Sequence, residues 1–314
     1  MSSTPPRPGD GPARSPSVPA VVVGVDGSEA SHTALEVAAR EARMRGCGLT
    51  VVHAYPVPAV PMREGQPPLH PLEERIHDLA EHVTTHAVDR ARRLLPGEEV
   101  AGVTEEGDPL SVLVAHSREA ALVVVASRGL GAFQRALLGS TSARLPAHSA
   151  CPVMIVRGRP DPERPVVLGV DGSAAGEAAV EFAFQEAAYR DVPLRALHAW
   201  TPADAPASPP PDPSLPHPDR PHVLAQGEER LLAETLAGRT ERYPAVRVER
   251  SVVRGRARPA LIDASADAGL LVLGARGRGG FAGLLLGSVS QAVQAHAHCP
   301  VVVVRGTAAR ADRE

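Results

Sequence analysis

Along this chain, short and almost purely apolar runs alternate with longer stretches in which apolar residues recur every three or four positions. The runs "AVVVGV" (20–25), "LTVVHAY" (49–55), "ALVVVAS" (121–127) and "PVMIVR" (152–157) have no polar alternation, the pattern of strands covered on both faces. The stretch "SEASHTALEVAAREARMRG" (28–46) has helical spacing and closes on Gly46, a C-cap signal. A second helical pattern spans 71–95, a strand ending in a glycine turn spans 99–107, a third helix spans 109–120, and a fourth begins over Ser140–His148. Strands alternating with helices predict parallel βαβ units with right-handed crossovers.

The same pattern is written twice. "VVVGVDGSEAS" (21–31) returns as "VVLGVDGSAAG" (166–176), and "LTVVHAY" returns as "LRALHAW" (194–200), both at an offset of 145 residues. "ASRGLGAFQRALLGSTS" (126–142) returns as "GARGRGGFAGLLLGSVS" (274–290), and "CPVMIVRG" (151–158) as "CPVVVVRG" (299–306), now at an offset of 148. Two copies of one domain explain four colinear matches. The expected organisation is a Pro-rich, disordered tail over 1–19, a first domain over 20–158, a linker over 159–165, a second domain over 166–306 and a short tail over 307–314. Pro-rich stretches over 56–71 and 202–222 read as exposed loops.

Composition adds exclusions. A formal net charge of −3 on 314 residues gives no reason to expect nucleic acid or an anionic membrane as a partner. Aromatics are only 3%, so the cores must be built from Val, Leu, Ala and Ile. Three cysteines, Cys47, Cys151 and Cys299, form no CxxC, which argues against a disulfide framework or zinc site and assigns Cys151 and Cys299 to packing. No apolar run is long enough for a membrane span, and the N-terminus lacks a signal-peptide core, so cytoplasm is the expected location.

The candidate chemistry lies in the glycine segments, each of which follows an apolar strand. In open α/β sheets ligands bind outside the carboxyl ends of the strands. Glycines there let backbone approach an anion, and through φ > 0 they let successive N–H groups form a nest. Ser288 and Ser290, like Ser140, Thr141 and Ser142, lie at a helix start, where hydroxyls cap the helix or meet a phosphate oxygen. The Rossmann G-x-G-x-x-G after the first strand and the P-loop G-x-x-x-x-G-K-[ST] are both absent. Asp26 and Asp171 fit two roles: meeting a ribose hydroxyl or a phosphate-bound Mg²⁺, or capping the next helix, since "DGS" is also a turn signature. His53 and His198 lie inside apolar strands and read as hydrogen-bonded core histidines; Arg128 and Arg276 read as phosphate contacts, with plain solvation as the alternative. His82 and His86 have i,i+4 metal spacing, but the surrounding sequence reads as a solvated helix face.

The spacing Gly274, Gly277, Gly287, Ser288, with "VGVDGS" after the first strand and "CPVVVVRG" as the last, resembles the universal stress protein family over nearly all of 20–306. The resemblance implies two tandem Rossmann-like α/β domains, each a five-stranded parallel sheet in order 3-2-1-4-5 flanked by helices, packed as a pseudo-dimer through their last strands. A further homodimer is compatible with the sequence. It also implies an adenine-nucleotide site, for ATP alone or with Mg²⁺. The first copy would use Gly24, Asp26, Ala54, Ala126, Arg128, Gly129, Gly139, Ser140, Thr141 and Ser142. The second would use Gly169, Asp171, Ala199, Gly274, Arg276, Gly277, Gly287, Ser288, Val289 and Ser290. Ala126 departs from the signature: one methyl is tolerated if the position serves only close approach, and costs about 1 kcal/mol if it needs φ > 0. The expected function is nucleotide-dependent sensing or regulation in stress. The alternatives are a slow ATP-hydrolysing enzyme or an interaction module without ligand.

Overall fold

The computed structural model describes residues 19–56, 70–129, 138–158, 160–201, 220–278 and 285–306, without the side chains of 70–72 and 220–222. The expected tails, most of both Pro-rich stretches and the middle of each glycine segment lie outside these residues.

The first half runs β1 (Val21–Gly24), α1 (Glu29–Arg45), β2 (Leu49–Tyr55), α2 (His70–Leu94), β3 (Val100–Glu106), α3 (Pro109–His116), β4 (Leu122–Ala126), α4 (Ser140–His148) and β5 (Val153–Val156). The second runs β6 (Val166–Val170), α5 (Glu177–Arg190), β7 (Leu194–Trp200), α6 (Arg220–Leu236), α7 (Arg239–Arg242), β8 (Val248–Arg254), α8 (Ala257–Ala264), β9 (Leu270–Gly274), α9 (Ser288–His296) and β10 (Val301–Val304). The valine-rich runs are strands because β-branched side chains pack well on a pleated surface covered on both sides. The helix expected over 71–95 begins and ends one residue earlier, and α6 takes the last three residues of the loop expected over 202–222.

All ten strands form one sheet in the order β3-β2-β1-β4-β5-β10-β9-β6-β7-β8. Pairing within each half is parallel, in order 3-2-1-4-5 counted along that half. The halves join where β5 and β10 pair antiparallel, Met154 opposite Val302. The strands of the two halves therefore run in opposite directions, and their carboxyl ends open on opposite edges of the molecule.

One apolar layer is continuous across both halves. It packs Val21, Val23, Val166 and Leu168 against α1, α2, α5 and α6 through residues such as Leu35, Ala91, Phe184 and Leu232. The opposite face is divided: α3 and α4 cover the first half, α8 and α9 the second. Where α1 meets α5, four charged side chains close a buried ring. Arg45 pairs with Glu41 and Glu186, and Arg190 pairs with the same two carboxylates. Arg45 also lies over the rings of Phe182 and Tyr189, at 5.8 and 5.5 Å from their centroids.

Candidate functional site

A cleft of about 620 Å³ opens at the carboxyl ends of β6, β7 and β9. Its floor is set by the "DGS" turn after β6. Gly172 takes φ of 71°, a left-handed conformation open to glycine. That turn lets Asp171 fold its carboxylate back: Oδ1 accepts from the Ser173 amide at 3.0 Å and its hydroxyl at 2.7 Å. The other oxygen, Oδ2, accepts from the Arg278 amide at 2.8 Å. In the first half Asp26 bonds Ser28 in the same way, at 3.0 and 2.6 Å, and Gly27 takes φ of 81°. The capping role weighed for these aspartates falls to a neighbour: Ser28, not Asp26, caps α1 by accepting from the Ser31 amide.

The glycines serve close approach and not a left-handed nest. Among the described residues, none of Gly129, Gly139, Gly274, Gly277 and Gly287 has φ in the left-handed region, which corrects that part of the sequence reading. A Cβ on Gly277 would lie under 3.0 Å from Asp171 Oδ2, and one on Gly129 under 3.0 Å from Asp26 Oδ2. Gly274 is looser, with 3.2 Å from an added Cβ to the Arg276 carbonyl. Ala126, at the equivalent place, therefore carries its methyl without a φ penalty and is buried. Gly169 and Gly24 serve packing, since a Cβ on either would meet leucine methyls, Leu273 and Leu113 respectively.

The hydroxyls at the helix starts divide their roles. Ser290 donates to the Gly274 carbonyl at 2.8 Å, and Ser142 to that of Ala126 at 2.6 Å. Both are buried, so these two hydroxyls tie helix to strand and keep only acceptor capacity for a ligand, a narrower role than the phosphate donors expected. Gly287 and Gly139 are the N-caps of α9 and α4, and neither helix start has a side-chain cap, which leaves its first amides open toward an anion.

All ten site residues expected in the second half line this one cleft. Those of the first half lie at the matching places: Gly24 at the end of β1 and Asp26 after it, Ala54 on β2, Ala126 at the end of β4 with Arg128 and Gly129 after it, and Ser140, Thr141 and Ser142 in the first turn of α4. Arg128 and Arg276 are both exposed, with Arg276 at the cleft wall.

The histidines are latches, as expected. His198 Nδ1 lies 2.8 Å from the Val170 carbonyl, and His53 Nδ1 lies 2.7 Å from that of Val25. A carbonyl only accepts, so Nδ1 carries the hydrogen in both. His198 Nε2 is also 2.8 Å from Glu228 Oε2, and among the described residues Glu228 and Asp171 are the two carboxylates lining the cleft. Sequence reading missed Glu228 and Trp200. Trp200 closes β7 and could be found by its repeat position, but Glu228 lies on α6 beyond a Pro-rich stretch and carries no motif signal. The cysteines are packed: burial pushes the Cys151 thiol up to about 11 and the Cys299 thiol up to about 12. Among the described residues, no group of three or more His, Cys, Asp or Glu gathers as a metal site, and no helix is long and apolar enough to cross a membrane.

Residues 19–157 and 163–305 each match the universal stress protein family. The chain belongs to that family. Two universal stress proteins of Mycobacterium tuberculosis are similar along almost their whole lengths. One is 38% identical over 308 residues, covering 91% of this chain and 94% of the relative. The other is 40% identical over 297 residues, covering 91% and 96%. Among solved structures, a universal stress protein from Archaeoglobus fulgidus has the same fold, with a TM-score of 0.65 at 20% identity over 92% of this chain and 97% of that one.

Proposed function

We propose that this universal stress protein is a tandem-domain nucleotide sensor in stress response, its domains spanning 20–158 and 166–306, and that the second-half cleft reversibly binds an adenine nucleotide. One observation carries the reading. The braced carboxylate of Asp171, the glycine backbone at Gly277 and the uncapped start of α9 all line one cleft at the carboxyl ends of a doubly wound sheet. That is where such sheets hold ligands, and an uncapped helix start favours phosphate. The ribose would meet Asp171, the base would lie along the Ala199 end of β7, and the phosphates would meet Ser288 and the amides around it.

The donor set suits Mg²⁺ carried by the phosphates, since among the described residues Asp171 and Glu228 are the only cleft carboxylates and Asp171 already accepts three hydrogen bonds. Binding without turnover is the reading we favour: His198 spends both ring nitrogens on Val170 and Glu228, so among the described residues no histidine is free as a base beside the glycine segment. Binding would change the surface at the cleft mouth and so alter what the protein offers to partners.

Calorimetric titration of the full chain with ATP, ADP and AMP tests this. Saturable heat is expected with adenine nucleotides and not with Gly277→Glu, whose carboxylate would fill the space against Asp171. No heat with any of the three would overturn the reading.

A further inference from the structure

We infer that the two halves are electrostatically opposite at their ligand ends, so that the second half takes a nucleoside polyphosphate and the first half repels one. This rests on the nucleotide reading above and adds which half binds and how many phosphates it favours.

The pairing register makes the comparison residue by residue. Tyr55 on β2 pairs with Glu106 on β3, and Trp200 on β7 pairs with Arg254 on β8. The next amide closes the same bond in both halves, Gly107 to the Tyr55 carbonyl at 3.0 Å and Gly255 to that of Trp200 at 2.8 Å. The next residue is the N-cap of the following helix, Asp108 for α3 and Arg256 for α8. Thus Glu106, Asp108 and Leu110 correspond to Arg254, Arg256 and Arg258: two negative charges in one half, three positive charges in the other.

These three arginines are exposed, and among the described residues they enter no ion pair. They flank Ala257, which lines the cleft together with Arg276 and Arg278. Guanidinium groups bind phosphate oxygens in a forked, bidentate geometry, and two in the cleft lining with three more on the segment that flanks Ala257 raise the local concentration of a polyanion. The first half shares Arg128 at the position of Arg276 but meets an approaching anion with Glu106 and Asp108.

Capping shows the same division. Arginine is a poor N-cap, having no acceptor and a charge that opposes the helix dipole. Arg256 makes no capping bond, and Arg258 adds a second positive charge in the first turn of α8. The start of α5 differs, because a 3-10 turn over Ala174–Gly176 runs into it and the Glu177 amide bonds the Ala174 carbonyl, so among the described residues α8 and α9 are the helix starts at this cleft whose first amides are left open by the side chains. In the first half α1 is capped by Ser28, and α3 by Asp108, which accepts from the Ser111 amide at 3.1 Å. The second half has kept helix starts and positive charge open to an anion, and the first half has closed two of its three starts on itself.

The test grafts one rim onto the other. The full chain and its Arg254→Glu/Arg256→Asp/Arg258→Leu variant are examined by native mass spectrometry for stoichiometry and by calorimetry with ATP and AMP at low and raised salt. One ATP per chain is expected. An exposed charge pair contributes up to about fivefold in affinity, so the graft should weaken ATP by on the order of tenfold to a hundredfold at low salt, and less at raised salt. AMP should change by less than about threefold, and its retention shows that the cleft is intact. Arg254→Gln alone, the mildest change, should weaken ATP by up to about fivefold with AMP unaltered. Two ATP bound with equal affinity, or a graft that leaves the ATP-to-AMP ratio unchanged, would overturn the inference while leaving nucleotide binding in place. No binding of either nucleotide by the unaltered chain would remove the reading on which it rests.

Discussion

Replacing Arg190 with methionine should destabilise the protein in a way that depends on pH. Arg190 is one of the four charges buried between α1 and α5, with 7% of its side chain exposed, and it pairs with Glu41 and Glu186, exposed 1% and 0%. Burial works against its charge, but Glu186 and Glu41 outweigh that and hold its pKa above the ordinary arginine value. Methionine keeps much of the volume and leaves two buried carboxylates sharing Arg45. Removing one partner of a buried pair costs about 3–5 kcal/mol, because the other charge stays uncompensated. Urea unfolding at neutral pH should show that loss. Burial, then the neighbouring Glu41, already push the Glu186 carboxyl above its ordinary range against the pull of the arginines, so the variant should raise it further. A raised carboxyl contributes stability that is present below the unfolded carboxylate range and lost as pH rises through the folded value. The variant should therefore regain stability as pH falls from 7 toward 5, more steeply than the unaltered protein. Adding Glu186→Gln restores charge balance, and it should recover stability at pH 7 and flatten the slope. A loss below about 1 kcal/mol at pH 7, with no pH dependence, would refute the reasoning.

Two further changes read other parts of the fold. Asp191 ends α5 with φ of 52° at the place where Gly46 ends α1 with φ of 60°, so Asp191→Gly should raise stability by about 0.5–1 kcal/mol in the same urea assay. The thiols of Cys151 and Cys299, pushed by burial up to about 11 and about 12, should stay unreactive toward a disulfide reagent at pH 8 and react together with Cys47 only once the chain unfolds.

The alternation of valine-rich runs with helical stretches was enough to read the strands, and the internal repeat was enough to read two equal halves. Family resemblance supplied the strand order and the joining of the last strands, which periodicity alone does not contain. The second-half site was legible because its parts are contiguous: a strand end, a glycine segment and a helix start. The rest depends on distance in sequence. Glu228 meets His198 across 30 residues that include a Pro-rich stretch. The pairs Glu41–Arg45 and Glu186–Arg190 have the i,i+4 spacing of ordinary solvated helix faces, and only the antiparallel joining of β5 and β10 brings them into one buried ring. Glycine segments suggest left-handed turns, yet at the two sites it is Gly27 and Gly172 in the "DGS" turns that are left-handed, while Gly129 and Gly277 are small because a carboxylate packs against them. The charge contrast between the two rims was present in the sequence, but it becomes a comparison of like with like only once the β3 and β8 registers are known.

Trp200 makes the central claim directly measurable. It is the single tryptophan of the chain, it is 4% exposed, and it lines the second-half cleft. Its emission during a titration with ATP should change saturably, with the same midpoint as the calorimetric heat. Heat of binding with no change in Trp200 emission would place the nucleotide elsewhere and contradict the account.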